Sequence, residues 1–354
     1  MIETLLETYG DGMVLLLAGL LTGLVFGVAA QRSQFCLRAS TVELSRGQIG
    51  PRMSIWLIVF ATAVAATQGA IMAGWLDVAD ARQLSGAGSM SGAIIGGLMF
   101  GIGMVLARGC ASRLLVLSAT GNLRALVTGL VLTLVAQSAL SGVLAPLREG
   151  ISQLWLINGP ERDLMQGLGL SRVAVFVMAL AGLAASLALA HARGVRPMAA
   201  LAGVGVGLSI TLGWFLTYTI AQASFEIVSI SSVTFTGPAT DTLMALVTER
   251  SVPLSFGIGL VPGVFMGAGL AAILAAEWKI QRFGADTPME RYIVGAVLMG
   301  FGAMLAGGCA VGAAVSGGSI MSLTAWVAGA SIWAGGMATS VLLDRVSPAN
   351  PAAA

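Results

Sequence analysis

Nine separate apolar runs constrain this chain more than any other feature: residues 12–30, 53–75, 91–107, 125–146, 172–191, 198–221, 254–276, 291–307 and 323–343. Each fits the roughly 17 to 25 residues that an α-helix needs to cross the hydrocarbon of a bilayer. Inside lipid every backbone N–H and C=O must bond within the protein, so runs of this length can only be helices. The chain is 57% hydrophobic and 10% charged, against about 25% charged for an ordinary soluble domain. The expected fold is therefore an all-α integral membrane protein of nine transmembrane helices, with residues 1–354 forming a single membrane domain in a lipid bilayer. The 48 glycines sit mostly within the apolar runs, where small residues let helices approach closely.

Several function classes drop out. The net charge of +2 is spread along the chain and the aromatics are not interleaved with basic residues, so no nucleic-acid footprint is present. The single histidine, His191, lies in a short basic turn, and Cys36, Cys110 and Cys309 form no C-x-x-C. Neither a metal site nor a histidine-based catalytic triad is expected. Gly101-x-Gly103 lies within an apolar run without a strand before it, and no Walker lysine occurs, so no nucleotide site is read. No cofactor and no catalytic residue are expected. The acidic start, Met1 to Glu7, lacks the positive region of a secretory signal, so the first apolar run is expected to be retained.

Charge sets the expected orientation. With the N-terminus outside and the C-terminus inside, inner segments hold Arg32, Arg38, Arg46, Arg52, Arg108, Arg113, Arg124, Arg193, Arg196, Lys279, Arg282, Arg291 and Arg345, or 13 of the 18 basic residues. Arg82, Arg148, Arg162, Arg172 and Arg250 fall outside. This is the positive-inside bias.

The two halves of the chain echo each other. Ile94 to Ala111 aligns with Ile293 to Ala310 at a constant offset of 199, with nine of 18 positions identical, including Gly109-Cys110-Ala111 against Gly308-Cys309-Ala310. The copies lie on the third and eighth runs, five crossings apart, and so run in opposite directions. Such inverted repeats are characteristic of transporters with a midplane site between the halves. The expected division is a first half over 12–146 and an inverted second half over 198–343. A fainter echo joins Ala30-Gln31-Arg32-Ser33 to Ala221-Gln222-Ala223-Ser224, and it leaves Cys36 without a partner cysteine.

The stretches after Cys110 and Cys309, Leu114 to Ala119 and Val311 to Met321, are too short and too rich in serine and glycine to span. They read as re-entrant segments, tolerated at membrane depth only when buried in protein or lining a cavity. Each cysteine then sits near the start of a half-helix, whose free N–H groups and positive dipole end favour an anion. Gly109, Ala111, Gly308 and Ala310 flank the thiols in these breaks. Buried thiols would act there as neutral, soft donors.

Three motifs, Gln34-Phe35-Cys36-Leu37-Arg38, Gly101 to Arg113, and Gly307-Gly308-Cys309-Ala310-Val311-Gly312, resemble the YeeE/YedE sulfur-transport family. The resemblance implies an hourglass-shaped helical membrane protein of the bacterial inner membrane that takes up thiosulfate. It also implies substrate contact along the path by Cys36, Cys110 and Cys309. Members of that family handle other reduced sulfur or selenium species as well, and some serve in regulating sulfur oxidation.

Other readings of the same residues stand beside these. A lone cysteine in a membrane helix is usually a small buried hydrophobe. Arg38 and Arg108 are candidates for drawing an anion inward, yet basic residues at inner helix ends ordinarily anchor topology. Gln31 and Gln34 are candidates for lining the path, whereas Gln68, Gln137 and Gln222 most simply bond neighbouring helices. Besides a transporter, the sequence allows a membrane sensor signalling to a cytoplasmic regulator through loops 31–52 and 277–291, or a sulfurtransferase working through persulfides. A cytoplasmic sulfurtransferase or regulator is the expected partner.

Overall fold

In the structure, a computed structural model, residues 2–248, 252–282 and 289–346 are described. Nine helices long and apolar enough to cross a membrane are present among them. The spans, numbered in chain order, are Asp11–Ser33, Pro51–Met72, Met90–Leu106, Leu123–Ser141, Arg172–Ala192, Pro197–Ala223, Phe256–Leu274, Met289–Leu305 and Leu323–Val346. Their starts follow from local chemistry. Proline opens the second and sixth spans, where its missing N–H goes unneeded. Ser89, Asn122, Ser171 and Ser255 cap the third, fourth, fifth and seventh by accepting from the N–H three residues on. Arg250 and residues 283–288 of the 277–291 loop lie outside the described residues.

Among the shorter helices, four recur between the spans in a repeating order: Leu37–Ser45, Ala111–Ala119, Thr236–Thr248 and Ala310–Gly317. At about 1.5 Å of rise per residue none can cross the membrane. The second and fourth are the expected re-entrant segments, each beginning three residues or one residue earlier than the sequence suggested. The first and third were not expected. Leu37–Ser45 carries arginine, serine, threonine and glutamate, which made 31–52 read as a long inner loop. Its hydroxyls are nonetheless satisfied internally: Ser40 donates to the carbonyls of Cys36 (3.1 Å) and Arg52 (2.9 Å), and Thr41 to that of Leu37 (2.9 Å). Leu37, Ser40 and Thr41 are buried as a result. The order span, short helix, span, span, short helix, span thus occurs once on each side of the fifth span.

Small residues decide how the spans meet. Gly19, Gly23 and Gly27 of the first span face the carbonyls of Phe256, Leu260 and Val264 of the seventh. In return, Gly259, Gly263 and Gly267 face those of Leu16, Leu20 and Leu24. A Cβ at any of the six would sit on a backbone oxygen, so the two helices touch main chain to main chain. The third and eighth spans meet in the same way but reciprocally. A Cβ on Gly96 would lie 2.6 Å from the Gly302 oxygen, and one on Gly302 would lie 2.7 Å from the Gly96 oxygen. Gly103 and Gly295 behave alike, at 2.5 and 2.7 Å. Gly96 aligns with Gly295 and Gly103 with Gly302 in the repeat, so each position touches its opposite number's partner. That exchange is the signature of a two-fold relation, here passing between antiparallel spans within one chain.

In the third and eighth spans and the segments that follow them, the repeat changes register at one point. Ala310–Gly317 is a π-helix, which accommodates one extra residue in an otherwise helical stretch. From the start of the third and eighth spans up to it, the copies align at an offset of 199. After it the turn and next span align at 200, with Gly121 (φ 94°) matching Met321 (φ 59°) and Leu123 matching Leu323.

Replacing Gly23 by leucine should separate the first and seventh spans and destabilise the protein by about 3 kcal/mol or more. In Gly129→Leu a Cβ meets no atom within 4 Å, so only a change of a few tenths of a kcal/mol is expected. Thermal unfolding of the two purified variants checks this, and equal melting temperatures would contradict the main-chain contact.

Candidate functional site

The three cysteines share one local construction. Two residues before each, the chain turns through the left-handed region: Gln34 (φ 53°) before Cys36, Arg108 (φ 54°) before Cys110, Gly307 (φ 79°) before Cys309. The turn ends one span, and the cysteine, in extended conformation, is the N-cap of the following short helix. First-turn N–H groups of such a helix lack helical partners, so each thiol stands beside a set of inward donors. Gly109 and Gly308 form the turns and Ala111 and Ala310 the first helical residues, all four buried. The fourth short helix start, at Thr236, follows an extended stretch instead, with Phe235 in the position a cysteine holds elsewhere.

Cys110 and Cys309 are each 1% exposed, Cys36 is partly exposed, and all three are free thiols. Cys36 and Cys309 both lie within Coulombic reach of Cys110, so the breaks converge on one region. The Cys110 sulfur is 3.3 Å from Ser112 Oγ. The Cys309 sulfur accepts from the Gly312 N–H at 3.5 Å and lies 4.0 Å from Thr234 Oγ1. Ser316 donates to the Val233 carbonyl at 2.6 Å, which ties the π-helix to the extended stretch before Phe235. Gln68 donates to the Ser319 carbonyl at 2.8 Å and Trp214 to the Ser319 hydroxyl at 3.3 Å, bracing the same segment from the second and sixth spans.

The remaining sequence candidates fall as follows. Gln31 donates to Glu277 at 3.1 Å, and Gln34 accepts from Arg52 at 2.7 Å, so both amides are engaged with neighbouring side chains. Arg38 is half-buried and Arg108 exposed. Among the described residues no group of three His, Cys, Asp or Glu side chains is arranged to hold a metal.

Sequence reasoning missed a polar cavity of about 250 Å³ beside Gly307 and Gly312. Arg82, Arg148 and Arg162 line it, and Arg82 donates to the Gly307 carbonyl at 3.3 Å. Arg162 is 4% exposed; it donates to the Gly86 carbonyl, and its Nε is buried without a partner. These arginines come from loops outside the aligned repeat, where neither spacing nor periodicity singles them out. Thr234 was likewise invisible, because it belongs to the unaligned extended stretch.

The sulphur transport family model matches residues 32–338, a range that contains all three cysteine breaks. The thiosulfate transporter TsuA of Escherichia coli (strain K12) is 26% identical over 340 residues, covering 88% of this chain and 90% of that protein. The thiosulfate transporter TsuA of Spirochaeta thermophila is 26% identical over 325 residues, covering 88% and 93%. With nine apolar spans and a family match running from the end of the first span into the ninth, this multi-pass membrane chain belongs to the sulphur transport family.

Proposed function

We propose that the chain carries thiosulfate inward across a bacterial inner membrane, passing it along Cys309, Cys110 and Cys36. The observation that carries this reading is the threefold recurrence of one device, a free thiol at the N-cap of a buried short helix, with the three brought into one region. The names of the two TsuA relatives support the choice of substrate.

The chemistry is consistent with that choice. A dianion in a low-dielectric interior is very expensive unless several donors share it. Helix N-termini each offer roughly half a positive charge, and neutral thiols add weak donors matched to a soft terminal sulfur. The cavity lined by Arg82, Arg148 and Arg162 would collect the anion on the outer side, against the Gly307 turn that precedes Cys309. In this reading residues 12–146 and 198–343 are the two inverted halves, and the path runs between them. A cytoplasmic sulfurtransferase would consume the product. A sensor would instead need free inner segments for a regulator, and Leu37–Ser45 within 31–52 is a short helix with Leu37, Ser40 and Thr41 buried.

Uptake of labelled thiosulfate into sealed proteoliposomes tests the function. In Cys110→Ala uptake should fall at least about tenfold, a loss of about 1.4 kcal/mol in binding along the path. Cys110→Ser should be nearly as damaging, because its donor is harder and shorter. Normal uptake by both variants would leave Cys110 a packing residue and end the thiol-path reading.

The same reading sets the N-terminus outside and the C-terminus inside, since 13 of 18 basic residues then face the cytoplasm. Alkaline phosphatase fused to the C-terminus should be inactive in growing cells. Strong activity of that fusion would reverse the orientation.

A further inference from the structure

The two ends of the internal repeat are not equivalent, and the difference falls on five side chains. By position after the starts of the short helices Leu37–Ser45 and Thr236–Thr248, Arg38 matches Gly237, and at the offset of 199 Arg108 matches Gly307 while Arg291 and Tyr292 match Gly92 and Ala93. At the offset of 200 that follows the π-helix, Arg124 matches Thr324. One end of the molecule therefore carries four guanidinium groups and a phenol where the pseudo-equivalent end carries three glycines, an alanine and a threonine.

These side chains converge. Ala107 lies against Gly295, at 2.6 Å from the position a Cβ there would take, which sets Arg108 level with Arg291 one turn away. The Arg124 guanidinium carbon is 4.8 Å from the centroid of the Tyr292 ring. Arg38 lies within Coulombic reach of Arg108, Arg291, Tyr292 and Cys36. Tyr292 is 1% exposed, and its hydroxyl, Arg38 Nε and Arg291 Nε are all buried without hydrogen-bond partners. Among the described residues ion pairs form only between Arg46 and Asp344 and between Arg148 and Glu149, so no carboxylate there lies within 4.0 Å of these cations. Glu290, next to Arg291, is exposed.

Topology anchors behave differently. They send their charged heads into water along an apolar stem, whereas Arg38 and Arg291 bury donor nitrogens beside other cations. Clustered like charges with unused donors are stabilised by an anion. We propose that Arg38, Arg108 and Arg291, together with the Tyr292 hydroxyl, form a second anion-binding site that receives a small divalent oxyanion as it leaves Cys110 and Cys36. The site rests on the transport reading above and supplies its inner, cytoplasmic landing.

The experiment compares wild type with Arg38→Lys, Arg291→Lys and Tyr292→Phe in proteoliposomes loaded by labelled thiosulfate uptake, with binding of sodium thiosulfate to the purified proteins measured by calorimetry. Lysine keeps the anchoring charge but not the planar fork, and phenylalanine removes one oxygen and no charge. Uptake should fall about tenfold in each lysine variant and at least about threefold in Tyr292→Phe, with the orientation of a C-terminal tag unchanged. Normal uptake in all three variants would make the arginines anchors and overturn the site. Should the lysine variants assemble poorly, Tyr292→Phe decides alone, and its normal uptake overturns the proposal. If wild type itself accumulates no label, the transport reading fails. The site is then judged by calorimetry, where weaker thiosulfate binding in Tyr292→Phe upholds it and unchanged binding overturns it.

Discussion

A helix that stops inside a membrane leaves backbone N–H groups with nothing to bond, and the fold is organised around making that tolerable. Unsatisfied backbone in hydrocarbon costs several kcal/mol per group. All four short helices begin at such interruptions, and the segments around them are wrapped by spans whose polar groups reach in. Gln68 and Trp214 brace Ser319, Ser316 holds the Val233 carbonyl, and Asn122 caps the fourth span where it follows Ala111–Ala119. Three short helices start at a cysteine: Cys36 and Cys110 make no side-chain cap and Cys309 only a 3.5 Å contact to the Gly312 N–H, and sulfur is too weak an acceptor to quench the local positive field.

Close backbone approach makes that wrapping possible. The glycine faces of the first and seventh spans, and the reciprocal contacts of the third and eighth, draw the main chains together at the centre. The bulkier side chains are pushed outward, so Leu17, Leu21, Leu270 and Ile273 lie exposed on the outer surface, where lipid would solvate them. Glycine content, which in a soluble chain would suggest looseness, works here as a packing device, because helix association in lipid depends on van der Waals contact rather than on hydrophobic burial.

Much of this was legible in the sequence, for reasons that can be named. The nine spans follow from run length, and the pairing of Cys110 with Cys309 follows from ungapped identity around a rare residue. The two breaks read as re-entrant had short apolar stretches after a glycine and a cysteine. Leu37–Ser45 was not legible because its polar residues satisfy themselves against carbonyls that only the fold brings near. Thr236–Thr248 was hidden by the long extended stretch before it, which breaks the alignment of the halves. The π-helix was also hidden, since a single inserted residue shows only when the turns on either side can be matched. Arg82, Arg148 and Arg162 come from segments outside the aligned repeat, and their proximity to Gly307 is a product of tertiary structure.

The placement of charge along the molecule then has a simple physical logic. Full charges stand at the two ends, with Arg82, Arg148 and Arg162 at one and Arg38, Arg108 and Arg291 at the other, while the cysteine breaks between them offer thiols and helix N-termini. A guanidinium in the dry middle would hold a dianion with an attraction that grows as the local dielectric falls, and an ion bound that tightly leaves slowly. Partial charges shared among several donors lower the barrier without creating a trap, since conduction requires binding strong enough to admit the ion and weak enough to release it. At the ends Arg82 and Arg108 reach the exposed surface, so in the proposed path whole charges would gather and release the anion there. An inverted repeat would by itself give both ends the same chemistry. The substitution of glycine and alanine for arginine and tyrosine at the pseudo-equivalent positions makes the two ends of a symmetric scaffold chemically different at those positions.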